Sequence, residues 1–316
     1  LNPDVAALGL TPPDMEAIMK TQYLILFSLT MLMCFCLFTT SAFAKDPRLE
    51  PKRLASIGDS ITEAIDAEVY GANHWASWAN GYHDFWQWLF GLSDVNSHNQ
   101  RITEKFGRRE RKNFMEAESG ADSFDLPGQA TQAVAHEATY VPWLMGHNDI
   151  CQDDVEDIPT IEQFEANASE ALEILRDGLP DGATIYVVGM ADVPQLYDVA
   201  KDKKVLGIVD CEELWFSTLF ELFPCGTVLG PFRTDADRDL MRERIIEFNA
   251  ILKALVVDFD TNDADHHYFY TNEIFNYNFL ENHVSDLDCF HPSPEGQEEL
   301  SRITWEAESG PNFQDW

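Results

Sequence analysis

The sequence predicts an α/β fold, a three-layer α/β/α sandwich around a mainly parallel central sheet. Short apolar runs alternate with segments of helical periodicity, at the spacing of strand–helix–strand units. One of those runs, Thr184 to Gly189, reads as a fully apolar strand of the kind buried on both faces of a parallel sheet. Three positions with chemical potential, Ser60, Gly120 and Asn148, each follow directly on one of the first three predicted strands. Ligands of parallel sheets bind outside the carboxyl ends of the strands, so this placement gives those positions weight.

The elements follow in order. Met19-Lys20 opens a short positive region, Tyr23 to Phe38 is an almost unbroken apolar run, and Ala42-Phe43-Ala44 precedes Lys45. This is the layout of a secretory signal peptide over 19–44, cleaved after Ala44, and the run is short for a stable membrane span. Residues 1–18 read as translated upstream sequence, and 45–316 as a single domain. Lys52 to Ile57 is the first strand, followed by helix-forming residues from Glu63 to Glu68. The aromatic stretch Trp75 to Leu92 is read as packed helix, with a substrate-lining surface as the alternative. Helices are expected over Ser97–Phe106 and Leu126–His136, and strands over Asn113–Glu118 and Thr139–Met145, where Pro142 sits awkwardly for a central strand. A helix over Ile161–Leu179, a variable stretch from Ala191 to Pro231, a helix from Asp235 to Val257 capped by Thr234, a strand over His266–Tyr270 and a final helix over Pro294–Ala307 complete the chain.

Composition narrows the function. A formal net charge of −34 repels nucleic acid and anionic membrane surfaces, so no nucleic-acid partner is expected. The acids are dispersed and 45% of residues are hydrophobic, which argues for a folded, strongly solvated surface rather than disorder. Salt adaptation and an ordinary acidic exported protein both fit that surface. Cys34 and Cys36 belong to the predicted leader; Cys151, Cys211, Cys225 and Cys289 remain, and an even count in an exported chain points to two disulfides with three possible pairings. Cys211 with Cys225 is the easiest pair to picture, which leaves Cys151 to join Cys289.

The chemistry centres on Gly58-Asp59-Ser60. A strand that turns at once into a helix leaves the serine hydroxyl beside a helix N-terminus, where a nucleophile can sit. Asp288 lies three residues before His291; it can accept from the imidazole Nδ1–H, fix the tautomer and leave Nε2 free to take the Ser60 proton. His147 is the second candidate base. The Ser60 and Gly120 backbone N–H groups and the Asn148 side-chain amide are candidate oxyanion donors.

Gly58-Asp59-Ser60, Gly120, Gly146-His147-Asn148-Asp149 and Asp288-Cys289-Phe290-His291 stand in the order of the conserved blocks of one family. The chain resembles the SGNH hydrolases, or GDSL lipases/esterases, most closely their phospholipase B-like bacterial members, over about residues 52–305. The resemblance implies a flavodoxin-like fold, a Ser60 nucleophile, a His291 base with Asp288 as its partner, and an oxyanion hole of Ser60, Gly120 and Asn148. Gly128 is the alternative for the second block, and Asp59, Gly146 and Asp149 are supporting members. It implies hydrolysis of a small-molecule or lipid ester through an acyl-enzyme, with no metal or other cofactor. Carbohydrate acetylesterase activity is the alternative within this class. A non-catalytic calcium- or carbohydrate-binding surface protein is the alternative outside it, motivated by the alternating acids of Asp258-Phe259-Asp260-Thr261-Asn262-Asp263.

Overall fold

Residues pointing alternately to the two faces of five short strands build this molecule around a sheet. The structure is a computed structural model that describes residues 45, 47–205, 207–216 and 225–313. The expected leader over 19–44, the upstream segment 1–18 and Cys34 and Cys36 lie outside the described residues. Residues Lys45–Trp316 form one compact unit.

The first half of that unit runs β1 (Arg53–Gly58), α1 (Ser60–Glu63), α2 (Phe85–Phe90), α3 (His98–Phe106), β2 (Lys112–Met115), α4 (Leu126–Ala135), β3 (Tyr140–Leu144), α5 (His147–Ile150) and α6 (Ile161–Gly178). The second half runs β4 (Thr184–Val188), α7 (Gln195–Ala200), a two-stranded hairpin at 204–210, α8 (Cys211–Trp215), α9 (Gly226–Leu229), α10 (Asp235–Asn262), β5 (His267–Thr271) and α11 (Pro294–Glu306). The five main strands are all parallel, in spatial order β2-β1-β3-β4-β5. Ala55, Ile57, Val141, Trp143, Ile185 and Val187 face α4, α6 and α10. Their neighbours Leu54, Tyr140, Leu144, Tyr186 and Val188 face α3 and α11. The expected three-layer α/β fold is therefore present, with a core on each side of the sheet.

Cap chemistry explains where the helices begin. Thr160 and Gln163 form a reciprocal capping box at α6, Thr234 and Asp237 do so at α10, and the Ser97 and Ser293 hydroxyls cap α3 and α11.

Three expectations are corrected and two open points, Pro142 and the acids at Asp258–Asp263, are decided. The helix expected over Glu63–Glu68 stops at Glu63, with Ala64 at φ +56°. There the Asn73 side chain accepts from the Glu68 and Val69 N–H groups (3.1 and 2.8 Å) and the Asp66 carboxylate accepts from Gly71 N–H (2.5 Å), so side-chain bonds replace the helical ladder. The second strand ends at Met115, although the Glu116 and Glu118 N–H groups still bond the Ser56 and Gly58 carbonyls.

Pro142 lies in the middle strand of the sheet after all. The β3–β4 ladder is continuous from Tyr140↔Thr184 to Leu144↔Val188, whereas the β1–β3 pairing skips Val141 and Pro142, so the missing N–H falls in that gap. The alternating acids at Asp258–Asp263 are no calcium loop: α10 continues to Asn262, and Asp263 is its C-cap. The aromatic stretch is not one packed helix. Trp78 is fully buried, but the chain is irregular from Ser77 to Asp84, and α2 buries none of its side chains.

Candidate active site

Four loops meet beyond the carboxyl edge of the sheet, and each is held by its own local bonds. After β1, the chain enters α1 at Ser60. Asp59 is the N-cap: one carboxylate oxygen accepts from Ile61 N–H (2.9 Å) and the other from His147 Nδ1 (2.9 Å). Before α11, an isolated bridge pairs Val284 with Pro292, and Ser285 N–H bonds the His291 carbonyl (2.8 Å), so the chain between them forms a tight loop.

That loop brings its imidazole to the serine. His291 Nε2 lies 2.8 Å from Ser60 Oγ, and His291 Nδ1 lies 2.5 Å from Asp288 Oδ2. The other Asp288 oxygen accepts from the Phe290 and His291 N–H groups (2.9 and 3.1 Å), which fixes the carboxylate as well as the ring. A serine, an imidazole and a carboxylate joined in this sequence can move a proton from the hydroxyl to Nε2 while the carboxylate steadies the imidazolium.

His147, the second candidate base, is committed elsewhere. Its Nδ1–H donates to Asp59, and its Nε2 accepts from Ala191 N–H (3.1 Å). Both nitrogens are used and the ring is buried, so it braces the nucleophile turn rather than activating it. Gly146, the N-cap of α5, sits at φ +117°, where a side chain is strained and a Cβ would lie 2.6 Å from Met190 Sδ.

Asn148 on α5 donates through Nδ2 to the Ala121 carbonyl (2.7 Å), beside Gly120. The Gly120 segment is fixed from two further sides. Ser119 N–H bonds the Glu63 carboxylate of α1 (2.9 Å), and Ser123 gives its N–H and hydroxyl to Asp149 (2.9 and 2.5 Å). Among the described residues neither the Ser60 N–H nor the Gly120 N–H has a hydrogen-bond acceptor, so both can serve a ligand. Asp149 is buried, and that burial pushes its carboxyl up to about 7 despite the Ser123 bonds. Gly128 sits in the first turn of α4, whereas Gly120 adjoins Ala121, whose carbonyl takes the Asn148 bond.

Three contributors escape a reading of the sequence. The Gln129 side chain on α4 accepts from Gly58 N–H (2.7 Å) and donates to Gly58 O (2.9 Å). Asp66 places its carboxylate near the base: one ligand atom from each of Asp66, Asp288 and His291 lies within 4.8 Å of the others. Buried Lys203 reaches the Glu281 carbonyl (3.0 Å), the Val284 carbonyl and the Asp286 carboxylate (2.8 Å), under the loop that carries Asp288 and His291. None of the three has a local pattern that would mark it; each acts across a long stretch of chain.

The cysteines pair as Cys151–Cys225 and Cys211–Cys289, not as Cys211–Cys225 and Cys151–Cys289. The fold decides this. Cys211 opens α8 beneath the histidine loop, while Cys225 precedes α9, whose Thr227 N–H bonds the Gln152 carbonyl beside Cys151 (2.9 Å). Each disulfide thus ties one active-site loop to the stretch between β4 and α10. Beside His291 and Phe290 opens an apolar cavity of about 100 Å³, lined among others by Ile61, Leu144, Val193, Leu196, Ile274 and Phe279.

The molecule is an α/β protein whose parallel sheet carries a hydroxyl–imidazole–carboxylate chain at its carboxyl edge. The chain belongs to the GDSL-like lipase/acylhydrolase family, whose model matches residues 54–303, and it is a carboxylic ester hydrolase. No curated protein sequence matches it. Among solved structures it is similar to TesA (15% identity, 80% of this chain and 96% of that chain, TM-score 0.45). It is also similar to a Clostridium thermocellum family 3 carbohydrate esterase (13%, 80% and 93%, 0.41) and to an extracellular lipase from Streptomyces rimosus (15%, 80% and 100%, 0.40).

Proposed function

We propose that this hydrolase cleaves acyl esters through an acyl-enzyme on Ser60. The observation that carries the reading is the hydrogen-bonded chain from Ser60 Oγ through His291 to Asp288. Ser60 Oγ attacks the ester carbonyl while His291 Nε2 takes its proton, and Asp288 holds Nδ1–H and stabilises the imidazolium. The carbonyl oxygen, now an anion, receives the Ser60 and Gly120 N–H groups and the Asn148 amide. Collapse expels the alcohol, which leaves with the proton from His291. Water then attacks the acyl-serine by the same route and releases the acid.

The cavity beside His291 supports an apolar acyl group. It is small against the roughly 300–1,000 Å³ of sites that enclose whole drug-sized ligands, so it takes a short acyl segment and leaves the alcohol outside. The domain at 45–316 acts outside the cytoplasm in this reading. Two disulfides persist in oxidising compartments, and no helix among the described residues is long and apolar enough to cross a membrane. The test is turnover of p-nitrophenyl acetate, butyrate and laurate by the wild type and by Ser60→Ala. The wild type should favour the shorter chains, and Ser60→Ala should lose about 10⁴-fold or more in kcat with its fold intact. Undiminished turnover by Ser60→Ala would refute the assignment.

A further inference from the structure

Helix α2 has the sequence Phe-Trp-Gln-Trp-Leu-Phe and is built without a core. Asp84 accepts from the Trp86 and Gln87 N–H groups (2.7 and 3.3 Å), Gln87 returns a bond to Asp84 N–H (3.2 Å), and Gly91 at φ +68° closes the far end. Local bonds therefore fix the helix, while Phe85, Trp86, Trp88, Leu89 and Phe90 stand 52–73% exposed. Successive residues turn by about 100° around a helix, so these five cover an arc of about 200°, and Gln87 takes the remaining side. An amphipathic helix normally rests its apolar face on its own protein; α2 buries no side chain, so this broad apolar face is open to an apolar medium.

Its location ties it to the active site. The Glu68 carboxylate accepts from Ser93 N–H (3.0 Å), Ser93 Oγ (2.9 Å) and Trp75 Nε1 (3.2 Å), which fastens the base of the α2 loop to the segment after α1. That segment itself exposes Val69 and Tyr70, and its Asp66 carbonyl accepts from Ser285 Oγ (2.5 Å) at the start of the histidine loop. Charge chooses the occupant. Between Arg53 and Arg101 the sequence contains no lysine or arginine, and the whole chain carries −34. Arg108 lies over the Tyr82 ring (4.6 Å) at the foot of this loop, yet the field of the whole chain repels an anionic lipid.

We propose that α2 inserts into a lipid surface of zero net charge and so docks the active-site face where ester substrates are aggregated. Trp and Phe are the side chains that settle in the interfacial layer of a bilayer or droplet. The purpose of the docking rests on the hydrolytic reading of Ser60; the docking itself is measured separately.

The experiment uses the full chain and a Trp86→Ser/Trp88→Ser/Phe90→Ser variant. Both are floated with phosphatidylcholine vesicles and with phosphatidylglycerol vesicles, and both are assayed on soluble p-nitrophenyl acetate. The wild type should float with phosphatidylcholine and less with phosphatidylglycerol; the variant should partition at least tenfold less and turn over the soluble ester unchanged. Brominated phosphatidylcholine should quench wild-type tryptophan fluorescence, a readout that does not depend on the variant folding. Equal flotation of the two proteins, preference for phosphatidylglycerol, absence of quenching, or a wild-type dimer that the variant reduces to monomers would overturn the proposal. Loss of soluble-ester turnover in the wild type would instead sink the reading of Ser60 and leave the flotation result to stand.

Discussion

Gln129 does for the end of β1 what a neighbouring strand would do. Gly58 N–H would otherwise be a buried donor without an acceptor, one residue before the Asp59–Ser60 turn, whereas Gly58 O keeps Glu118 N–H as a second partner. Gln129→Leu therefore orphans one donor and should cost about 1–3 kcal/mol, read as a lower urea midpoint. Because the freed group sits next to the nucleophile turn, kcat should fall further than KM changes. A variant with wild-type stability and kcat would show that the contact is idle. The pairing of Asp288 with His291 was legible in the sequence because it is local, whereas Ser60 meets His291 only across 231 positions. Ser60 and Asn148 each follow closely on a recognisable strand, while Gly120 stands five residues beyond the end of β2. Gln129, Asp66 and Lys203 were not legible, since each meets its partners through the fold: Gln129 bonds Gly58 across 71 positions and Lys203 reaches Val284 across 81.

At the scale of elements, what the sequence showed were segments whose ends carry their own signals, such as the Thr160–Gln163 and Thr234–Asp237 boxes. What it hid depended on neighbours: Pro142 is tolerated because of a gap in pairing to β1, and α2 has no buried side chain among the described residues despite its aromatic sequence. The cysteine pairing was hidden for the same reason, yet it organises the site. Cys289 lies between Asp288 and His291, and its bond to Cys211 closes a loop with a sequence separation of 78. In the chain-entropy account such a closure is worth about 4 kcal/mol. Trp215 Nε1 donates to the Cys289 carbonyl (3.3 Å), and Lys203 holds the loop from the same side. Cys211→Ala/Cys289→Ala should lower the denaturation free energy by roughly that amount. It should also lower kcat at 25 °C, as the His291 ring samples positions away from Ser60. Unchanged kcat in the double variant would mean that Lys203 and the Val284–Pro292 bridge suffice to hold the loop.

At the scale of the whole molecule the governing quantity is charge. A chain at −34 gains from mild acidification, since protonating carboxylates relieves self-repulsion. His98 works against that gain. It is fully buried in an aromatic box between α3, α11 and the sheet, with Nδ1 at 2.7 Å from the Tyr140 hydroxyl and Nε2 at 2.9 Å from the Thr304 hydroxyl. Burial pushes its pKa down to about 3, and the Arg101 charge adds in the same direction. The unfolded chain protonates this ring near 6.5, so between that pH and about 3 the unfolded state binds one more proton than the folded state. The stability owed to neutral His98 is therefore complete above 6.5 and is lost as pH falls, at up to about 1.4 kcal/mol per pH unit. Carboxylates held low by partners, such as Glu299 beside Arg302, lose stability over acid pH as well, so a single curve does not isolate the histidine. The difference between the wild type and His98→Gln does, because both chains share every carboxylate. His98→Gln should be the less stable protein at pH 8, and its deficit should shrink steadily below pH 6.5 in urea denaturation curves. Parallel stability curves for the two proteins down to pH 4 would mean that the ring is already charged in the folded state, with Tyr140 and Thr304 both accepting from it.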